Sequence, residues 1–134
     1  MATISVSPIV LKDCTLTIAS DDYEAHVSQV QFDPSNSSVT WQGLTPTATH
    51  TDTSSSTWTC TLALAQDWET TNSLSRYLFE NEGQTKSMTF EPKAGGASFT
   101  ANVIIVPGSI GGTVNQFATA TVTLPVSGRP ALAS

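Results

Sequence analysis

Three segments of the chain alternate, residue by residue, between apolar and small polar side chains. In "WTCTLAL", Trp58, Cys60, Leu62 and Leu64 alternate with Thr59, Thr61 and Ala63; in "SFTANVII", Phe99, Ala101, Val103 and Ile105 alternate with Thr100, Asn102 and Ile104. In "QFATATVTL", Ala118, Ala120, Val122 and Leu124 alternate with Phe117, Thr119, Thr121 and Thr123. A period of two puts successive side chains on opposite faces of a strand, so each segment reads as a strand with one core face and one polar face. That restricts the chain to layered β architecture, in which such faces are buried against one another. "KSMTFEP" places Met88 and Phe90 on one face, and the glycines between Lys93 and Ala97 suit a hairpin turn to the strand that follows. "CTLTI", "EAHVSQVQF", "SSVTWQGL" and the short amino-terminal run are further candidate strands.

One segment has another period. In "TTNSLSRYLFENEG", Leu74, Tyr77 and Leu78 recur at helical spacing, Asn72 or Thr71 can cap the start, and Gly83 stands where a left-handed C-terminal cap belongs. One short helix over about 72–82 is expected, packed through Leu74 and Leu78. Between Leu44 and Trp58 the chain runs without a large apolar residue, and 45–57 reads as a long polar loop. The stretch 125–134 reads as a C-terminal tail. No repeat or composition break divides the 134 residues, so a single domain over 1–134 is expected.

Charge excludes some functions. Eleven acids against five bases leave a net charge of -6, which opposes nucleic-acid binding that depends on Lys and Arg to displace counterions. Charged residues are only 12% of the chain while Ser and Thr make up roughly a quarter, a surface suited to strands. The opening "MATISVSPIVLKDC" has no basic region, and its weakly apolar run ends at Lys12; it reads as neither a signal peptide nor a membrane anchor. Cys14 and Cys60 are accordingly expected as free thiols.

Catalytic and metal-binding patterns are wanting. His26 and His50 have no Cys or carboxylate at ligand spacing, and His26 reads as a partly exposed strand residue. Asp21, Asp22 and Glu24 lack the glycine and closing glutamate of a calcium loop. Gly108, Gly111 and Gly112 precede a strand rather than the helix a phosphate loop requires. No enzyme, cofactor or metal is expected. Trp41, Trp58 and Trp68 could form a sugar-stacking platform, making a carbohydrate-binding β-sandwich the alternative class, but Trp41 and Trp58 alternate with core positions and read as packing.

The segment "LSRYLFENEGQTKSMTFEPKAGGASFTANVIIVPGSIGGTVNQFATATVTLPVSGRP", Leu74 to Pro130, orders a helix, an F-x-N-x-G turn, a strand ending F-x-P, a glycine link, an F-T-A strand, a glycine bend and a last strand closing in G-x-P. In this it resembles the major tail tube proteins of long-tailed, siphovirus-type bacteriophages. The resemblance implies a mainly β, sandwich or barrel-like tail tube fold, and a virion protein, made in the host cytoplasm, that assembles into stacked hexameric rings through which DNA is ejected. It implies tape-measure, tail terminator and baseplate proteins as partners, with no membrane. A tail terminator or decoration role is the nearest alternative. The family's ring-stacking loop would fall on Thr45, Thr47, Thr49, His50, Asp52, Ser54, Ser55 and Thr57. Lumen acids, repelling phosphate so that DNA slides, would come from Asp13, Asp21, Asp22, Glu24 and Asp33.

Overall fold

The computed structural model describes residues 2–133. Among them the chain forms β1 (Thr15–Ile18), β2 (Asp21–Asp22), β3 (Val27–Ser35), β4 (Ser38–Gln42), β5 (Thr49–Thr53), β6 (Thr57–Ala65), α1 (Leu74–Glu80), β7 (Thr85–Glu91), β8 (Ser98–Ile104) and β9 (Thr119–Ala133). The fold is mainly β, with one short helix. Among the described residues seven strands make one antiparallel sheet in the order β2-β1-β7-β8-β9-β6-β3, and β4 and β5 form a separate two-stranded sheet. The long β9 joins the two halves. Its first half, Thr119 to Pro125, pairs with β6, and its second half, Val126 to Ala133, pairs with β8. One strand thus serves both layers, and the sheet curls until a cleft lined by Leu16, Val27 and Val30 separates its ends.

The inward positions are those that alternate in the sequence. Cys60, Leu62, Leu64, Ala101, Val103, Ile105, Ala120, Val122 and Leu124 are buried, and Met88 and Phe90 join them. Register explains why they meet: Leu62 lies between Val30 of β3 and Val122 of β9, and Met88 lies between Ile18 of β1 and Ala101 of β8. Leu74 and Leu78 press α1 onto this core. Burial stabilises each large apolar side chain by about 1.5–3 kcal/mol. Cys60 packs against the Met88 sulfur at 3.7 Å, while Cys14 donates to the Pro92 carbonyl at 3.2 Å; both are free thiols.

The helix begins later than its capping residues indicated. Asn72 takes a left-handed conformation (φ 64°), and Ser73, extended, is the N-cap. The reason is a turn just upstream, where the Asp67 carboxylate accepts the Glu69 and Thr70 N–H groups at 3.1 Å each. The Thr70 side chain first, then the Thr70 N–H, hold the Asp67 carboxyl below the usual range by bonding to its charged form. Gly83 occupies the expected left-handed position (φ 84°), and its N–H donates to the Ile105 carbonyl at 2.9 Å.

Five expectations are corrected. The amino-terminal run pairs with nothing in the sheet and leaves Ile4, Val6 and Val10 exposed, because a β-prone sequence forms a strand only where a partner edge is offered. The supposed tail, 125–134, is strand as far as Ala133: Ala131, Leu132 and Ala133 pair with Thr100, Phe99 and Ser98. A register shift between Thr100 and Asn102 absorbs Gly128 (φ 87°), Arg129 and Pro130 as a bulge, the setting in which a strand tolerates proline. The supposed loop 45–57 contains β5, the returning arm of a hairpin, and Thr57 already belongs to β6. Trp41, read as core, stands on the other arm and is 63% exposed. His26, read as a strand residue, lies in the turn before β3.

Candidate assembly interface

The β4–β5 hairpin leaves the body where Ser35 pairs with Thr57, the last pair of β3 and β6. Every residue of both arms is exposed. Its pairs are Ser38 with Thr53, Val39 with Asp52, Thr40 with Thr51, Trp41 with His50 and Gln42 with Thr49. Paired side chains share a face, so Val39, Trp41, His50 and Asp52 form one side and Thr40, Gln42, Thr49 and Thr51 the other. The Trp41 and His50 rings lie 5.8 Å apart.

The residues expected to stack rings therefore separate. Thr45 and Thr47 lie at the tip, where the Thr45 carbonyl accepts from Gln42 Nε2 at 3.0 Å and from the Ala48 N–H at 3.2 Å. Thr49 is on the polar side, and His50 and Asp52 are on the side with tryptophan. Ser54 clasps the base by exchanging bonds with Ser37, and Ser55 and Thr57 are at the root. Sequence reasoning found the outgoing arm as a strand but left it out of the interface, because Trp41 was read as core packing. The true signal of Val39 and Trp41 was the absence of other apolar partners around them.

The expected lumen acids also divide. Asp33 points outward from β3, where Gln29 donates to Gln31 (3.3 Å) and Gln31 to Asp33 (2.7 Å). Asp22 also lies on an outward row, accepting from the Thr17 hydroxyl at 2.9 Å. Asp21, paired with inward-facing Ile18, is turned toward Tyr23 and Tyr77. Burial first, then Asp21, pushes the Tyr23 hydroxyl up to about 12 and raises Tyr77. Asp13 and Glu24 line a cleft with Lys12 rather than a strand face. Glu91, which was not singled out, stands outward on β7 and accepts from the Thr15 hydroxyl at 2.7 Å.

The outward rows otherwise consist mainly of Thr, Ser, Asn and Gln, such as Thr17–Thr89–Thr100 and Gln31–Thr61–Thr123, with Ala63, Ile104, Pro125 and Ala131 among them. None of the five cations stands there: Lys12 and Lys93 lie in bends, Arg129 lies in a bulge, Arg76 is on the helix, and Lys86 has the parity of Met88. At the hairpin end of the body opens an apolar groove of about 780 Å³, bounded by Phe32, Trp58, Phe99 and Leu132 and carrying Arg129. At the other end the 105–118 segment exposes Ile110, Val114 and Phe117, and Gln66 braces it by bonding both the N–H and the carbonyl of Gly111 at 2.9 Å. Among the described residues, no three His, Cys, Asp or Glu side chains gather to hold a metal ion.

No family model matches the chain, and no curated protein matches it. Solved structures do. A chain of the sheath/tube terminator of an extracellular contractile injection system, PVC, in its extended state superposes with a TM-score of 0.68 over 98% of this chain and 100% of that one, at 17% identity. A chain of the sheath–tube complex of that system matches at 0.64, with 18% identity over 95% of this chain and 92% of that one. A chain from the tail of an empty GTA particle, refined with C6 symmetry, matches at 0.61, with 12% identity over 81% and 83%. At these identities the common property is the fold.

Proposed function

We propose that this chain is a structural subunit of a phage-type tail, assembling into stacked hexameric rings whose bore conducts DNA. The observation that carries the reading is the fold likeness, over nearly the whole of both chains, to chains of an extracellular contractile injection system, and over about four fifths of both to a chain of a GTA tail. Six-fold rings are inferred from the sequence resemblance and from the C6 symmetry of the GTA tail. The long-tailed type is taken from the sequence resemblance. Two features of this chain support the role. A hairpin exposed along both arms is costly to order in a monomer and gains its contacts only from another copy. Outward rows without Lys or Arg make no phosphate contacts, so a polyanion can move along them. The chain's role is to build a surface rather than to catalyse a reaction, and tape-measure, terminator and baseplate proteins are its proposed partners.

A second reading, a ring that terminates a tube, is favoured by the terminator match, which spans all of that chain. Negative-stain electron microscopy of the purified protein across a concentration series separates the two. Long tubes are expected. Single rings that never stack select the terminator reading, and a 14.1 kDa species at every concentration overturns both.

A further inference from the structure

We propose that the Val39–Trp41 face of the β4–β5 hairpin docks into the apolar groove of a neighbouring copy, with Asp52 of the hairpin paired to Arg129 of the groove. The proposal rests on the self-assembly reading above and names the surface that receives the hairpin.

Complementarity of charge and surface carries it. The hairpin face combines two exposed apolar side chains, Val39 and Trp41, with Asp52, the one carboxylate between Asn36 and Ser56. Among the residues lining the groove, Arg129 is the one charge, set in a wall of Phe32, Trp58, Phe99 and Leu132. The fold builds this placement, because the bulge at left-handed Gly128 interrupts the β8–β9 register and presents Arg129 where regular pairing would continue. Neither charge is spent internally. Among the described residues the one salt bridge is Arg76–Glu80. Among the described residues the Asp52 carboxylate accepts one bond, from the Thr53 N–H at 2.7 Å.

The hairpin cannot fill its own groove. Its root residues Asn36, Ser55 and Ser56 already border Arg129 and Trp58. At about 3.3 Å per residue, Val39 and Trp41 lie roughly 10 and 16 Å further out along an extended arm. Exposure along the whole of both arms shows that they do not fold back. A hairpin seated in this groove therefore belongs to another copy, beside Ile9 and Leu11 of the amino-terminal run, which line the groove's rim. A second copy supplies the required carboxylate beside an aromatic side chain, and in a chain of net charge -6 a lone guanidinium steers an acidic hairpin to this spot.

The test is charge reversal in the full chain. Asp52→Arg and Arg129→Asp, each alone, are expected to raise the critical concentration for tube formation roughly tenfold or more, and the double reversal to bring it back near wild type. Both positions are exposed, and thermal melts of all three variants, expected to overlay the wild type, establish that folding is intact. Single variants that polymerise like wild type overturn the pairing, as does a double variant no better than the singles. A variant lacking the hairpin separates the two levels. If it too fails to form tubes while the double reversal does not rescue, the hairpin reading stands and this acceptor is wrong; if it forms tubes, the hairpin reading itself falls. Should removal of residues 2–8, which carry exposed Ile4 and Val6, abolish tubes while the charge reversals do nothing, the groove belongs to the amino-terminal arm and the proposal is overturned.

Discussion

Replacing the 21 residues 36–56 by Asn-Gly should separate folding from assembly. Ser35 and Thr57 are already register partners, so a two-residue turn can close β3 onto β6 without shifting a single core side chain. The side-chain bonds of the excised segment, Asn36 to Ser56 and Ser37 to Ser54, lie within it and leave no partner stranded in the body. Little buried apolar area is lost, since Val39 and Trp41 are exposed and Leu44 fully so. Against that small loss, shortening the connection from 21 residues to two lowers loop-closure entropy by about 2 kcal/mol. The variant should unfold in denaturant within about 2 kcal/mol of wild type, displaced toward greater stability, with the same dependence on denaturant. Under the electron microscope it should form no long tubes. The reasoning is refuted by a variant that fails to fold, by one that is less stable than wild type, or by one that still polymerises.

Leu62→Ala, at a fully buried site between Val30 and Val122, should cost about 2–5 kcal/mol in a denaturant melt, whereas Thr61→Ala on the outward row should cost roughly 0.5 kcal/mol or less; the reverse ranking refutes the strand's facing. Asp33→Lys should leave tubes intact and slow DNA ejection from virions at low salt, because the new cation forms a phosphate contact that moving DNA must break; unchanged kinetics discard the electrostatic role of the outward acids. Stability should fall as pH rises past about 9. Burial, with Asp33 second, pushes the Cys60 thiol from 9.0 up to about 12, so the unfolded chain loses that proton first; Tyr23 adds the same sign from 10.0 up to about 12. Cys60→Ala should flatten the decline between pH 9 and 10, as followed by melting temperature, and an undiminished slope there counts against thiol burial as its cause.

The candidate interface was legible only in part. Polar composition marked 45–57 as surplus to a core, and the structure places that segment on a projecting element, but "THTDT" concealed a strand because neither of its alternating faces is apolar. Trp41 misled for the converse reason: an aromatic residue in an alternating segment looks inward, and burial depends on whether the strand lies over the core. Arg129 gave no local sign of a role. Its place follows from a bulge and from walls supplied by β3, β6, β8 and β9, segments distant in the chain.

The inward faces of β6, β7, β8 and β9, the packing of one helix through Leu74 and Leu78, and the glycine turn between Met88–Phe90 and Phe99–Val103 are legible in the residues alone. These are local properties, written in periods of two and 3.6 residues and in the freedom of glycine at positive φ. Only tertiary structure decided which β-prone segments find a partner. Among the described residues the amino-terminal run finds none, β4 and β5 find only each other, and β9 continues past Gly128-Arg129-Pro130 because β8 offers its edge there. Pairing depends on hydrogen-bonding groups brought from far along the chain, as when Leu16 meets Phe90, and no local pattern of side chains encodes that meeting.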